Sequence, residues 1–443
     1  MNTWRRGSAL AFAVLLLAAP SARAAEGDEE GRELKWFGSL RVRPEYNDNL
    51  SDLSSAVDDK VGYVTYRANL GTSIDLDQDV TVLFDVQALG NWGEAQTPQR
   101  GFQGFTSDDT SIDFFRAYIE ARKIFGSNFS VRAGRQPLVF GDEWLLGDSD
   151  FYGGTSWDGL RGTFDTRLGH LDAFWAKEAE TDPVETPSIT GDVGGDFDLY
   201  GLWSDWKVSD AQHLDIGLIY SFDHRTVGTQ PFQDKRFTAH VHYAYGRATG
   251  LFFTGNAAYQ NGTTVDATLA PVDIDGAAAA ELTGGYTWER DGNPYKLWGR
   301  YAVYSGDKAS TPDKRETFVL VAQDNHARYG LLDLWTGQWG FTPFIGGPSG
   351  AEILQLGFDS TLPNTIRLRL MGQQVWRDEK FPGNDNKNLG KEFGLSAFYN
   401  YGKNLEMELG VAILYPGASI ALEPPLFGNS TARRIYFNTV ARF

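Results

Sequence analysis

Ten arginines of this 443-residue chain stand among apolar residues that recur at every second position: Arg41, Arg43, Arg67, Arg116, Arg122, Arg132, Arg161, Arg300, Arg367 and Arg369. A guanidinium is always charged, and its planar fork binds a carboxylate through two parallel hydrogen bonds. A ladder of such groups on one face would recognise anions and pass an anionic chain from site to site, provided no site holds it tightly. The competing role is structural, each arginine bracing the wall against an acid such as Asp75, Asp85, Glu120 or Asp165. The segments whose phase can be read carry more inward bases than acids, which favours recognition for the group.

Other chemistries find little support. The six histidines sit in no catalytic motif, and neither a G-x-S-x-G elbow nor an H-E-x-x-H pair is present. With no cysteine there is no thiol nucleophile or thiolate metal site. We therefore expect no catalytic residue, no cofactor and no metal. His326 reads as a structural residue hydrogen-bonded in a loop against the wall. Asp182, Glu185, Asp192, Asp196 and Asp198, and the run DIDG at 273–276, fit no twelve-residue calcium loop. They read as solvated, outward-facing loops that would hold divalent ions loosely between lipopolysaccharide molecules. The formal charge of −18 argues against nucleic acid as a partner. It does not exclude a locally basic lumen.

The elements that carry the arginines are strands from end to end. In 63–76, Val64, Tyr66, Ala68, Leu70, Ile74 and Leu76 take one face, and Thr65, Arg67, Asn69, Ser73 and Asp75 the other. Phe84, Val86 and Ala88 against Asp85 and Gln87 repeat the pattern, as do Ile366, Leu368 and Leu370 against Arg367 and Arg369. A soluble sandwich alternates in the same way. Its strands are usually five or six residues long, whereas these run to about nine to twelve over the whole chain. Short turns alternate with long polar loops at 89–112, 177–198, 305–317, 376–391 and 415–433, and 89–112 is a candidate plug. No segment after the N-terminus reads as a membrane helix, so a spanning chain must close its backbone hydrogen bonds in a barrel. The expected fold is all-β, a transmembrane antiparallel barrel of about 16–18 strands. Its apolar face meets lipid, where an arginine near the midplane would cost about 2–4 kcal/mol. The arginines are therefore expected inside.

The ends agree. Arg5 and Arg6, the apolar run Ala9–Ala19 and Ala22-Arg23-Ala24 form a secretory signal peptide over residues 1–24, leaving 25–443 as the barrel. Its cleavage would remove three arginines and no acid, making the chain more acidic still. The final strand RIYFNTVARF places Ile435, Phe437 and Phe443 on one face and ends on an aromatic. That ending is similar to the C-terminal signal read by the barrel-assembly machinery of the bacterial outer membrane, the expected location.

Between Gly134 and Arg161 lies a glycine-broken, aromatic and acidic stretch, GRQPLVFGDEWLLGDSDFYGGTSWDGLR. Gly134, Arg135, Gln136, Phe140, Gly141, Asp142, Leu146, Gly147, Asp158, Gly159, Leu160 and Arg161 resemble one signature of the alginate export family of outer-membrane barrels. Ser305, Gly306, Asp307, Thr317, Phe318, His326, Tyr329, Gly330 and Asp333 resemble a second, in the right order. The resemblance implies a monomeric barrel of about eighteen strands with an arginine-lined constriction, exporting a polyuronate from the periplasm, with periplasmic polysaccharide-secretion proteins as further partners. Trp144 and Thr155 stand where the pattern leads one to expect arginine. Physically, Gly134 and Gly141 permit a bulge or tight bend that turns the chain inward. Asp142 and Asp158 are placed to accept hydrogen bonds from Arg132, Arg135 or Arg161. The rival function is a porin admitting small, anionic solutes, which would share the barrel and its charged lumen.

Overall fold

The computed structural model describes residues 33–443 apart from 51–52, 56–58, 93–110, 149–152, 180–196, 224–225, 228–229, 232, 267–269, 322–325, 336–349, 363–364, 381–383 and 421–427. The expected signal peptide and most of the 89–112 plug candidate lie outside these residues, as does most of 177–198.

Alternation produces long strands throughout. They are β1 (Glu33–Asp48), β2 (Val61–Asp75), β3 (Val80–Asn91), β4 (Ser111–Ala121), β5 (Phe129–Gln136), β6 (Trp157–Asp165) and β7 (Gly169–Ala179). Next come β8 (Phe197–Ser209), β9 (Gln212–Asp223), a two-residue pair β10 (Thr226–Val227) and β11 (Gln230–Pro231), β12 (Asp234–Tyr245), β13 (Gly250–Val265) and β14 (Pro271–Arg290). The last are β15 (Asn293–Tyr304), the two-residue β16 (Lys314–Arg315), β17 (Ala351–Thr361), β18 (Arg367–Trp376), β19 (Asn388–Tyr401), β20 (Leu405–Pro416) and β21 (Ala432–Arg442). Apart from β10, β11 and β16, each strand pairs antiparallel with the next, and β1 pairs with β21. The result is a closed barrel of eighteen strands with no free edge, as a lipid environment requires.

The two ends differ. Eight connections of two to seven residues turn the chain at the end where β1 begins and β21 stops. At the other end only the β13–β14 connection is short, and the remaining eight span ten residues or more. The β13–β14 hairpin is long because β14 has 20 residues, and its first residues pair in parallel with β16.

The pleat sorts the faces as the alternation requires. Leu356 (62 % exposed), Leu370 and Ile435 point outward with many other large apolar residues. Aromatics gather on this surface near the short turns, with Trp288 stacked on Tyr295 at 5.7 Å and Tyr245 on Phe253 at 5.5 Å. Arg43, Glu45, Gln355, Gln373, Glu392 and Arg434 point inward and are buried.

The apolar core is inside the barrel. Leu138, Phe140, Trp144, Leu145 and Leu146 from 137–156, and Phe318, Tyr329, Leu331, Leu332 and Trp335 from 305–350, are all buried together within the ring of strands. The sequence reading treats the second connection as a polar loop over 305–317. Its continuation instead turns into the lumen, because burying this many apolar side chains outweighs their hydration.

Candidate functional site

Segment 137–148 enters the lumen at a backbone that only glycine suits. Gly134 has φ +124°, and a Cβ there would lie 2.3 Å from the Ala117 carbonyl oxygen. Gly141 has φ +59° and completes the turn. Just before it, Phe140 stacks on Phe174 at 5.2 Å and Trp203 at 5.0 Å. Trp144 is fully buried, stacked on His240 at 5.4 Å, and its indole N–H donates to the Tyr304 hydroxyl at 2.7 Å. This packing explains the tryptophan at a position where the family pattern suggests arginine: no solvated charge would fit there.

Arg328, from the second in-folded segment, ties the two segments to the wall. It donates to Glu281 Oε1 of β14 at 2.8 Å, to the Asp142 backbone carbonyl, and to Asp142 Oδ2 at 3.4 Å. Asn256 of β13 donates to the same Asp142 oxygen at 3.0 Å. Burial would raise the Asp142 carboxyl, but the charges of Arg328 and His242 and the hydrogen bonds from Asn256 and Arg328 outweigh it and hold it below the usual carboxylate value. Nearby, His326 Nδ1 lies 3.0 Å from Asp333 Oδ2, the structural role its sequence position suggests.

The ten alternating arginines share the inner face, but they do not form a ladder of open charges. Arg116 holds Asp85 through two nitrogens at 2.9 and 2.7 Å. Arg132 pairs with Glu120, Arg161 with Asp172 at 2.8 and 3.0 Å, and Arg369 with Asp359 at 2.9 and 3.1 Å. Arg122 meets Glu120 at 3.5 Å beside a short turn, and Arg300 lies 3.7 Å from Glu281. Arg367 lies 5.2 Å over the Phe398 ring. Arg41, Arg43 and Arg67 are buried in the packed interior, Arg43 beside Glu45 at 3.3 Å. The expected excess of inward bases is thus corrected: acids on the same or an adjacent strand match most of them, Asp85 and Glu120 among the bracing acids named from the sequence.

Two further assignments are corrected by the pleat. Arg135 and Asp158 form a two-toothed pair at 2.8 and 2.7 Å, with Asp113 also on Arg135 at 3.1 Å. Each stands three residues from Arg132 or Arg161 along an unbroken register, and an odd spacing in a strand means the opposite face. Asp158 shares its face with outward Leu160. Asp142 is inside, yet its partners are Arg328 and Asn256 rather than Arg132, Arg135 or Arg161.

Among the described residues, two cavities of about 260 Å³ each bring inner-wall arginines to accessible space. The first is lined by Arg132, Arg161, His170, Ser130, Thr163, Glu120 and Asp165 on β4 to β7, so its two acids balance its two arginines. Arg132 and Arg161 are register partners there, backed by Tyr118 at 4.4 Å and Phe140 at 4.8 Å respectively. The second gathers Lys296, Arg300, Arg328 and Arg369 around Asp142, Glu143 and Trp298. Counted around the ring of eighteen strands, the two lie on roughly opposite walls. Sequence reasoning did not single out Lys296, Arg328 or His170. Lys296 was legible in principle from its phase with Arg300; the other two depend on how loops and strands meet.

A family model described as alginate export matches residues 38–333, more than half of the chain. No curated protein sequence matches it. Among solved structures, the chain is similar to OccAB1 of Acinetobacter baumannii, with TM-score 0.62 and 15% identity over 95% of this chain and 99% of that one. It is similar also to OprD of Pseudomonas aeruginosa, with TM-score 0.55 and 13% identity over 95% of each chain. OccK8 (OprE) of Pseudomonas aeruginosa aligns with TM-score 0.58 and 12% identity over 93% of this chain and 98% of that one. At these identities the likeness concerns the fold.

Proposed function

The chain belongs to the alginate export family of outer-membrane barrels, and on that premise we propose that it passes an anionic polysaccharide, alginate or a similar polyuronate, from periplasm to exterior. The observation that carries the reading is the pair of opposed arginine-bearing cavities, the one around Lys296, Arg300, Arg328 and Arg369 being the more basic. Each joins guanidinium groups to hydroxyls or an indole, and so suits a sugar bearing a carboxylate. Arg116, Arg132, Arg161, Arg300 and Arg369 are the wall residues assigned to contact it, with Lys296 and Arg328 beside them. Each guanidinium already shares its charge with an acid. A passing carboxylate is therefore held only by exchange, as transport demands.

The in-folded apolar segments favour one second reading. They occupy lumen that a long polymer would need, so uptake or release of small anionic solutes fits the same cavities.

Conductance of the refolded barrel in a planar bilayer, with reversal potential under a salt gradient, tests both. Anion selectivity with block by oligouronates and not by neutral oligosaccharides is the expected result. Arg132→Ala with Arg161→Ala should weaken that block about tenfold or more, the loss of one charge-assisted pair being worth about 1.5–3 kcal/mol. Block by monomeric uronate alone selects the small-solute reading. Cation selectivity without block overturns both.

A further inference from the structure

Many acids on the inner wall face an arginine or lysine; buried Glu392 and Glu408 instead accept from amides, an indole or a hydroxyl, and one further group joins two carboxylates to histidines. Asp205 of β8 and Asp215 of β9 are register partners, and among the described residues neither meets an arginine or lysine. Asp215 is fully buried, and histidines serve it instead. His213 Nε2 lies 3.2 Å from Asp205 Oδ2 and 3.3 Å from Asp215 Oδ1. His242 Nδ1 of β12 lies 2.6 Å from the other oxygen of Asp215, and its Nε2 lies 2.8 Å from the Thr254 hydroxyl.

A single ring nitrogen carries at most one proton, so two carboxylate oxygens on it must share one N–H in a three-centre bond. A divalent cation held by all three groups would instead satisfy both carboxylates and neutralise them. Zinc–nitrogen and zinc–oxygen bonds of about 2.0–2.2 Å put tetrahedral ligand atoms about 3.3–3.6 Å apart, close to the two separations from His213 Nε2. The three donor atoms all lie within 4.8 Å of one another. His242 then takes a familiar supporting role, donating from Nδ1 to the far oxygen of a coordinating carboxylate and fixing its orientation.

We propose that Asp205, His213 and Asp215 bind one divalent transition-metal cation, with His242 orienting Asp215. One nitrogen and two oxygens suit zinc or its neighbours better than calcium, which takes six to eight oxygens. Three protein ligands leave a position open, and the partly exposed His213 and Asp205 turn it toward the lumen beside the short β8–β9 turn. The cation would cancel the two negative charges and offer the open position to a carboxylate in transit.

The test uses the refolded full barrel without a histidine tag, titrated with Zn²⁺ against a chromogenic chelator and with Co²⁺ followed by visible absorption. One site per barrel with a tetrahedral-type cobalt spectrum is expected. His213→Gln should abolish the site, and His242→Gln should weaken it about 10–100-fold. Asp210→Asn, an exposed acid in the adjacent turn, should leave it intact. Heat-modifiable migration on gels verifies that each variant is folded. No binding by the folded wild-type barrel, binding that survives His213→Gln, or binding of Ca²⁺ in place of Zn²⁺ would each overturn the assignment.

Discussion

Arg328 meets two carboxylates from different parts of the chain, and the arithmetic of buried charge makes it the residue on which the in-folded segments depend. Glu281 is almost wholly buried and Arg328 nearly so. Removing the guanidinium leaves an uncompensated charge, at a cost of about 3–5 kcal/mol. Arg328→Met is therefore expected to release segment 137–148 from the wall, read as higher and noisier single-channel conductance in a barrel that still migrates as folded. Acid should act on the same contact. The folded carboxyl of Asp142 titrates below its ordinary value. The stability it contributes is thus complete above the usual carboxylate range and is lost as pH falls through that lowered value. Conductance recorded from neutrality to below about pH 4 should stay flat, then change at the acid end. An unchanged trace for Asp142→Asn across that range would identify Asp142 as the group responsible. Asp142 was legible in the sequence as an acceptor for an arginine, but Arg328 as that arginine was not, because its partners lie 47 and 186 positions away.

At the scale of elements, the strands were legible and the segments between them were not. A period of two marks a strand whichever side it packs on, so β2, β3 and β18 and the inward phase of Arg67, Arg116 and Arg369 followed from spacing alone. PLVFGDEWLL carries no period, and what buries Leu138, Phe140 and Trp144 is a wall built from remote strands. Arg135 and Asp158 show the complementary error: taken from a motif rather than from phase, they were assigned inside, and the pleat sets them outside. The two glycines that steer the segment should differ in tolerance. Gly134→Ala places a Cβ against the Ala117 backbone oxygen, which no rotamer relieves. At Gly141 the nearest atoms to a Cβ are the Trp203 ring at 3.4 Å and Asp215 Oδ2 at 3.5 Å, so Gly141→Ala meets mainly the left-handed backbone penalty of about 1–2 kcal/mol. Gel-shift melting of the refolded variants should rank Gly134→Ala well below Gly141→Ala, and Gly141→Ala slightly below wild type.

For the whole molecule, closure between β1 and β21 makes the wall a continuous hydrogen-bonded ring, so what distinguishes one part of the lumen from another is its filling. That filling enters from a single end, where the long connections are, while the opposite end has only tight turns. A charged pore whose obstruction is built in from one mouth does not conduct alike in both directions. Ions driven from the open side accumulate before the narrow part, and ions driven the other way are depleted there. The protein is expected to behave as an ionic diode. Inserted in one orientation, it should carry unequal currents at equal voltages of opposite sign, and Arg328→Met should make its current–voltage curve more symmetric. Directionality in transport needs an energy source that a passive barrel lacks, but the asymmetry of its loops already gives the molecule a forward and a reverse.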